Sequence, residues 1–165
     1  IGCLPKFSNI IYEFKKRDKN KPLILMGSEH KHLIDYVHES AKEDYENLAS
    51  KYWPGALTIV IPASAKQTAH LTSNDQTIGL RIPNSNIAQS LLRETGPLLT
   101  SSANISGFKG SITAEGIALD FPSVKILGPI PWGKSSGKAS TIIFWKKSGD
   151  WRLIREGEVL VRELY

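Results

Sequence analysis

Pro97-Leu98-Leu99-Thr100-Ser101-Ser102-Ala103-Asn104-Ile105-Ser106-Gly107 is the stretch from which the rest of the chain is read. Its first four residues follow Gly96, which stops a helical pattern carrying Ile87, Ala88, Leu91 and Leu92. They predict a short buried strand. The seven that follow are small and polar, so the strand runs into a loop, the place where α/β proteins commonly hold ligands. Small residues let backbone amides approach an anion. Ser and Asn side chains offer hydrogen bonds to phosphate, ribose or base edges. The same residue types equally suit a turn or a helix cap.

On either side of this stretch, helical and strand periods are intermixed. Ile10, Ile11 and Phe14 predict a short helix, capped by Ser8 or Asn9 and ending near Lys16. Pro22–Met26 reads as a buried strand. Gly27-Ser28 opens an expected helix with Leu33, Ile34, Val37 and Ala41 on one face. Another carries Tyr45, Leu48, Ala49 and Tyr52 and stops at Trp53-Pro54-Gly55. Strands are expected at Leu57–Ile61, closed by Pro62, and at Thr77–Pro83. Residues 113–120 read as helix and Ser123–Leu127 as strand. Ser140–Phe144 and Trp151–Arg155 read as strands joined by the turn Lys147-Ser148-Gly149-Asp150. Glu158–Leu164 suits either a strand or a short helix. This intermixing predicts an α/β fold: a single domain over 1–165, with one twisted mixed sheet flanked by helices.

The chain has 165 residues, enough to bury about two-thirds of its unfolded surface without staples. With 41% hydrophobic and 22% charged residues it has the composition of a folded domain rather than a disordered one. Cys3 is the single cysteine, so no intrachain disulfide is possible, which a reducing compartment tolerates. No apolar run approaches the roughly 18 residues of a membrane span. The first residues lack a signal-peptide pattern. A cytoplasmic location away from membranes is therefore expected. The net charge of +5 favours anionic partners such as nucleotides or RNA.

Lys15, Lys16, Arg17, Lys19 and Lys21 put five cations in seven positions. Such a run suits a solvated loop. It also suits an anion site, because Arg supplies a planar fork and Lys a compact point charge. Arg81 stands inside an apolar strand. It must either pair with a carboxylate or face a cleft that receives an anion. Arg155 repeats the pattern in milder form. His30, His32 and His38 have no cysteine partner and no H-E-x-x-H spacing, so no metal ligand is assigned to them. Phosphate loops of the Walker or dinucleotide type are absent, and Ser135-Ser136-Gly137-Lys138 is only a faint echo of one. There is no G-x-S-x-G nucleophile elbow.

Six short motifs occur in one order: Lys15-x-Arg17 with Lys21-Pro22-Leu23; Trp53-Pro54-Gly55-x-Leu57-Thr58; Gly79-x-Arg81-Ile82-Pro83; Ser101-Ser102-Ala103-Asn104-x-Ser106-Gly107; Ser140-Thr141-Ile142; and Arg155-Glu156-Gly157. Together they resemble the YrdC-like L-threonylcarbamoyladenylate synthases, from about residue 1 to 160, in the short form without an extra C-terminal domain. The resemblance implies the YrdC-like fold and a reaction. ATP, L-threonine and bicarbonate give threonylcarbamoyl-AMP and pyrophosphate, with Mg²⁺ accompanying the ATP. The product feeds threonylcarbamoyladenosine modification of tRNA through downstream transferase proteins.

By this resemblance Lys15 and Arg17 are catalytic and, with Ser102, Asn104, Thr58 and Arg155, line the nucleotide site. Arg81 and Ser140 lie near the threonine or the carbamate. Fixed cations suit adenylyl transfer, where charge builds on the α-phosphate and the departing pyrophosphate. The family usually has proline where Asp18 stands. It also has a leading strand–helix–strand, which this sequence is expected to lack. The alternative expectation is a truncated, non-catalytic module that binds nucleotide or RNA, tRNA or double-stranded RNA included.

Overall fold

The computed structural model describes residues 1–65, 76–108, 110–128 and 136–160. Seven strands form one sheet: β1 (Gly2–Cys3), β2 (Ile24–Met26), β3 (Leu57–Pro62), β4 (Thr77–Arg81), β5 (Leu98–Thr100), β6 (Thr141–Lys147) and β7 (Asp150–Arg155). Their spatial order is β1-β5-β2-β4-β3-β6-β7. The pairs β2–β4 and β3–β6 are parallel and the other four antiparallel, so the sheet is mixed as expected. Leu25, Leu57, Ile59, Ile61 and Leu80 are wholly buried at its centre. This is why β3 reads as an almost unbroken apolar run rather than an alternation.

Among the described residues, the α-helices that accompany the sheet include α1 (Ser8–Lys15), α2 (Lys42–Tyr52), α3 (Asn86–Thr95) and α4 (Ala114–Asp120). In α2, Tyr45 and Ala49 face the core, and the Tyr45 ring meets Trp53 edge-on with centroids 5.7 Å apart. Asp44 ties α2 to the β6–β7 hairpin by accepting from Trp145 Nε1 at 2.7 Å and from the Gly149 amide. Ser85 caps α3, and Gly96, at φ 74°, ends it.

Four details differ from the sequence reading. The cap position of α1 is Phe7, which offers no side-chain hydrogen bond, while Ser8 lies inside the helix. A 3₁₀ turn, Pro5–Phe7, leads directly into the helix and replaces the cap. The buried face of α1 is Ser8, Ile11, Tyr12 and Lys15, leaving Ile10 and Phe14 exposed.

Residues 27–41 form three 3₁₀ turns (His30–His32, Ile34–Tyr36 and Glu39–Ala41) instead of one helix. The four-residue spacing of Leu33, Val37 and Ala41 does bury all three. However, Val37 is extended and bridges Ala63, which breaks the helix there. Ser123–Leu127 is not a strand. Val124 closes a turn onto Phe121, and Val124 to Leu127 line a cleft. Finally, β1 was not expected. Its two residues join the sheet by pairing with Leu99 and Thr100. Of the C-terminal segment, Glu158–Leu160 is neither strand nor helix, and 161–165, like Ser135, lie outside the described residues.

Strand register distributes the candidate residues. Met26 aligns with Arg81, Leu57 with Thr141, and Ile142 with Arg155. Thr58, Arg81, Ser140 and Arg155 therefore gather at one rim. Thr100 pairs with Ile24 at the opposite rim, where β5 hands over to the Ser101–Asn104 loop.

Candidate functional site

Lys15 is the last residue of α1 and is 1% exposed. Its ammonium donates to Ser101 Oγ at 2.9 Å, to the Ser102 carbonyl, and to Asn104 Oδ1 at 3.3 Å. The Lys15 carbonyl in turn accepts from the Ser106 amide at 3.1 Å. The loop is thus stitched to the end of α1 by a buried cation whose hydrogen-bond partners are all neutral. Asn104 closes the loop on itself, donating to the Ile105 and Phe108 carbonyls and accepting from Ser102 Oγ. Burial, reinforced by the nearby Arg17 charge, pulls the Lys15 pKa down to about 8.

Arg17 follows Lys16, which takes the left-handed conformation at φ 49° and ends α1. The sequence groups Arg17 with Lys15, but its fork turns to its own loop. Nε donates to the Lys21 carbonyl at 3.1 Å and Nη2 to the Pro22 carbonyl at 3.0 Å. Asp18 completes the same turn by accepting from the Asn20 amide at 2.9 Å.

At the other rim, Thr58 and Ser140 are buried, and their hydroxyls lie 2.9 Å apart across β3 and the start of β6. Arg155, ending β7, donates to the Ser140 carbonyl from Nε and Nη2 and to Ser140 Oγ at 3.0 Å. This hydrogen-bonded triad joins three strands. Arg81 donates from Nε to the Gly55 carbonyl at 2.9 Å, and Gly55 donates its amide to Ile82. Burial lowers the pKa of Arg81; Glu158 opposes the shift and Arg155 adds to it.

Between the rims lies a cleft of about 1540 Å³. Ala103 represents the Lys15 cluster on its wall, and Gly55, Ala56, Arg81 and Val159 represent the other rim. Of the two readings for Arg81, facing a cleft is therefore the one realised. Lys15, Ser102, Asn104, Thr58, Ser140 and Arg155 are not themselves part of its lining. The sequence reading passed over Lys51, Lys125 and Glu158, which also line the cleft, and met Lys138 only as the end of a faint phosphate-loop echo. No motif marks the first three, because only the long-range topology brings these residues together. Among the described residues the ion pairs are Lys42–Glu39 and Lys146–Asp150, both on the surface. None of Lys15, Arg17, Arg81 and Arg155 has a carboxylate at ion-pair distance there. No group of three His, Cys, Asp or Glu that could hold a metal occurs among the described residues either.

The Sua5/YciO/YrdC family model, described as "Telomere recombination", matches residues 1–157. The threonylcarbamoyl-AMP synthase of Bacillus subtilis (strain 168) is 33% identical over 136 residues, covering 81% of this chain and 39% of that protein. The protein of the same name from Yersinia pestis (strain Pestoides F) is 34% identical over 134 residues, covering 77% of this chain and 70% of its own length. Among solved structures, that of P. abyssi Sua5 complexed with L-threonine superposes with a TM-score of 0.85 at 30% identity, covering 99% of this chain and 48% of that one. The chain thus spans about half or less of two of these three relatives. A family model matched over nearly the whole chain and a relative 34% identical over most of its own length lead to one conclusion: the chain belongs to the Sua5/YciO/YrdC family.

Proposed function

We propose that this chain carries the threonylcarbamoyl-AMP synthase site, using ATP, L-threonine and bicarbonate and releasing pyrophosphate. One observation carries the reading beyond family names. Among the described residues, three cations at or near the cleft have no carboxylate at ion-pair distance: Lys15, bonded to the Ser101–Asn104 loop, Arg81 on the wall, and Arg155 at the far rim. Unneutralised charge of this kind is costly to hold near a protein interior. Its value lies in stabilising an anion that arrives later. The relatives named threonylcarbamoyl-AMP synthase and the threonine complex of P. abyssi Sua5 support the choice of substrates.

The chemistry suits these groups. The threonine nitrogen bonds to the bicarbonate carbon and water leaves, giving a carbamate. A carbamate oxygen then bonds to the α-phosphorus, and the α–β phosphate bridge breaks to free pyrophosphate. Little covalent participation by the protein is needed, and the burden falls on fixed positive charge and positioning.

In this reading Ser102 and Asn104 present the loop to the nucleotide, while Lys15 holds that loop and supplies its field. Arg17 sets the turn that follows α1. Thr58 and Arg155 border the ATP, and Arg81 and Ser140 the threonine or carbamate. Mg²⁺ arrives with ATP, held by phosphate oxygens and water, which suits a cleft whose lining is poor in carboxylates. The product supplies tRNA threonylcarbamoyladenosine modification, and a cytoplasmic location belongs to the same reading.

Incubation of the protein with ATP, threonine and bicarbonate, followed by mass detection, tests the proposal. Threonylcarbamoyl-AMP is expected in an amount matching the pyrophosphate released. Its absence, with bound ATP demonstrated separately, contradicts the synthase reading.

A further inference from the structure

We propose that Glu158 accepts the ammonium group of the amino-acid substrate in this cleft, beside Arg81, which the resemblance already places near the threonine or the carbamate. The inference rests on the synthase reading above and adds to it a residue that no motif marks. Glu158 is the single acidic residue lining the cleft among the described residues, set against Lys51, Arg81, Lys125 and Lys138. A polyphosphate gains nothing from a carboxylate in its pocket, and Coulomb repulsion makes that carboxylate a liability. A cationic group on the second substrate gives the carboxylate a partner.

Both side chains are held in place from behind. The Glu158 amide donates to the Ala139 carbonyl at 3.0 Å, and its Oε2 accepts from Ser136 Oγ at 3.0 Å. Its Oε1 has no donor among the described residues. Arg81 spends Nε on the Gly55 carbonyl, and its two terminal nitrogens make no hydrogen bond among the described residues. Arg81 and Glu158 feel each other's charge, yet no ion pair joins them. An anion and a cation on one wall, each anchored and each with free hydrogen-bonding capacity, match the two charges of an α-amino acid.

Calorimetric titration with L-threonine and with 2,3-dihydroxybutanoate, the analogue bearing hydroxyl in place of the amine, reads the subsite directly. The wild-type protein is expected to prefer threonine by about tenfold or more, the discrimination that one charge-assisted hydrogen bond provides. Glu158→Gln, a same-size change at an exposed side chain, should lose most of that preference and leave ATP affinity intact. Ser136→Ala should reduce the preference less.

An unchanged preference in Glu158→Gln overturns the subsite. If the wild type still forms threonylcarbamoyl-AMP, the synthase reading survives that result. Equal losses of threonine and ATP binding in Glu158→Gln mark a structural role and also overturn it. Failure of the wild type to bind threonine overturns both proposals.

Discussion

Lys15 is a fully buried ammonium held by oxygens that carry no net charge. Those acceptors stand in for water and keep it protonated at neutral pH, while burial, with the nearby Arg17 charge, lowers its pKa to about 8. If its charge supports nucleotide binding, ATP affinity should fall as pH rises through about 8 in the wild-type protein. In Lys15→Met the affinity should be lower throughout, by about tenfold or more, with that pH step gone. Fluorescence titration of ATP across the interval checks both.

The same shift makes a stability prediction of definite sign. The unfolded chain keeps its lysine proton up to about 10.5, whereas the folded chain loses it from about 8. Between those values the unfolded state binds more protons, so the stability of the wild type relative to Lys15→Met should rise with pH. Urea unfolding of both proteins at several pH values measures it.

At the scale of elements, the rim formed by β3, β6 and β7 depends on the Ser140 hydroxyl, which meets both Thr58 and Arg155. Ser140→Ala leaves a buried threonine hydroxyl short of its partner and should cost about 1–2 kcal/mol of stability by chemical denaturation. Gly157 backs the same rim. A Cβ there would lie 2.3 Å from the Ala139 carbonyl oxygen and 2.5 Å from the Thr141 nitrogen, both backbone atoms unable to swing aside. Gly157→Ala should therefore displace Ser140 and lower both stability and turnover more than Ser140→Ala does. A thermal melt beside a pyrophosphate-release assay compares the two.

The elements most readable from sequence are those whose signal is local. The β-branched run of β3, the Trp53-Pro54-Gly55 stop after α2, and Gly96 after α3 each act within a few residues. The segment 27–41 misleads because Leu33, Val37 and Ala41 keep a helix-like spacing while Val37 takes its partner from Ala63. Ser123–Leu127 misleads for the opposite reason. It is apolar enough for a strand, but it packs as cleft wall.

The whole molecule brings together what local patterns keep apart. Lys15 lies 86 to 89 residues from the loop oxygens it holds, and Thr58 lies 82 from Ser140. Composition alone leaves each cluster indistinguishable from a solvated loop or a turn. Only the ordered motifs join them in advance. Arg17, grouped with Lys15 by its motif, bonds the Lys21 and Pro22 carbonyls of its own loop while its charge still acts on Lys15.

The cation excess around the cleft predicts a salt effect on one substrate and not the other. ATP affinity should weaken several-fold between about 0.05 and 0.5 M salt, as screening shortens the reach of these charges. Threonine, with no net charge, should respond little. Paired titrations at the two salt concentrations test the difference.

The proposed reaction joins ATP, in this cleft, to a carbamate built from threonine and bicarbonate. Pyrophosphate release, measured with each substrate omitted in turn, tests it most directly. Release is expected only when ATP, threonine and bicarbonate are all present, and is expected to be lost in Lys15→Met. Release from ATP alone, or none with all three in a protein that binds ATP, would contradict it.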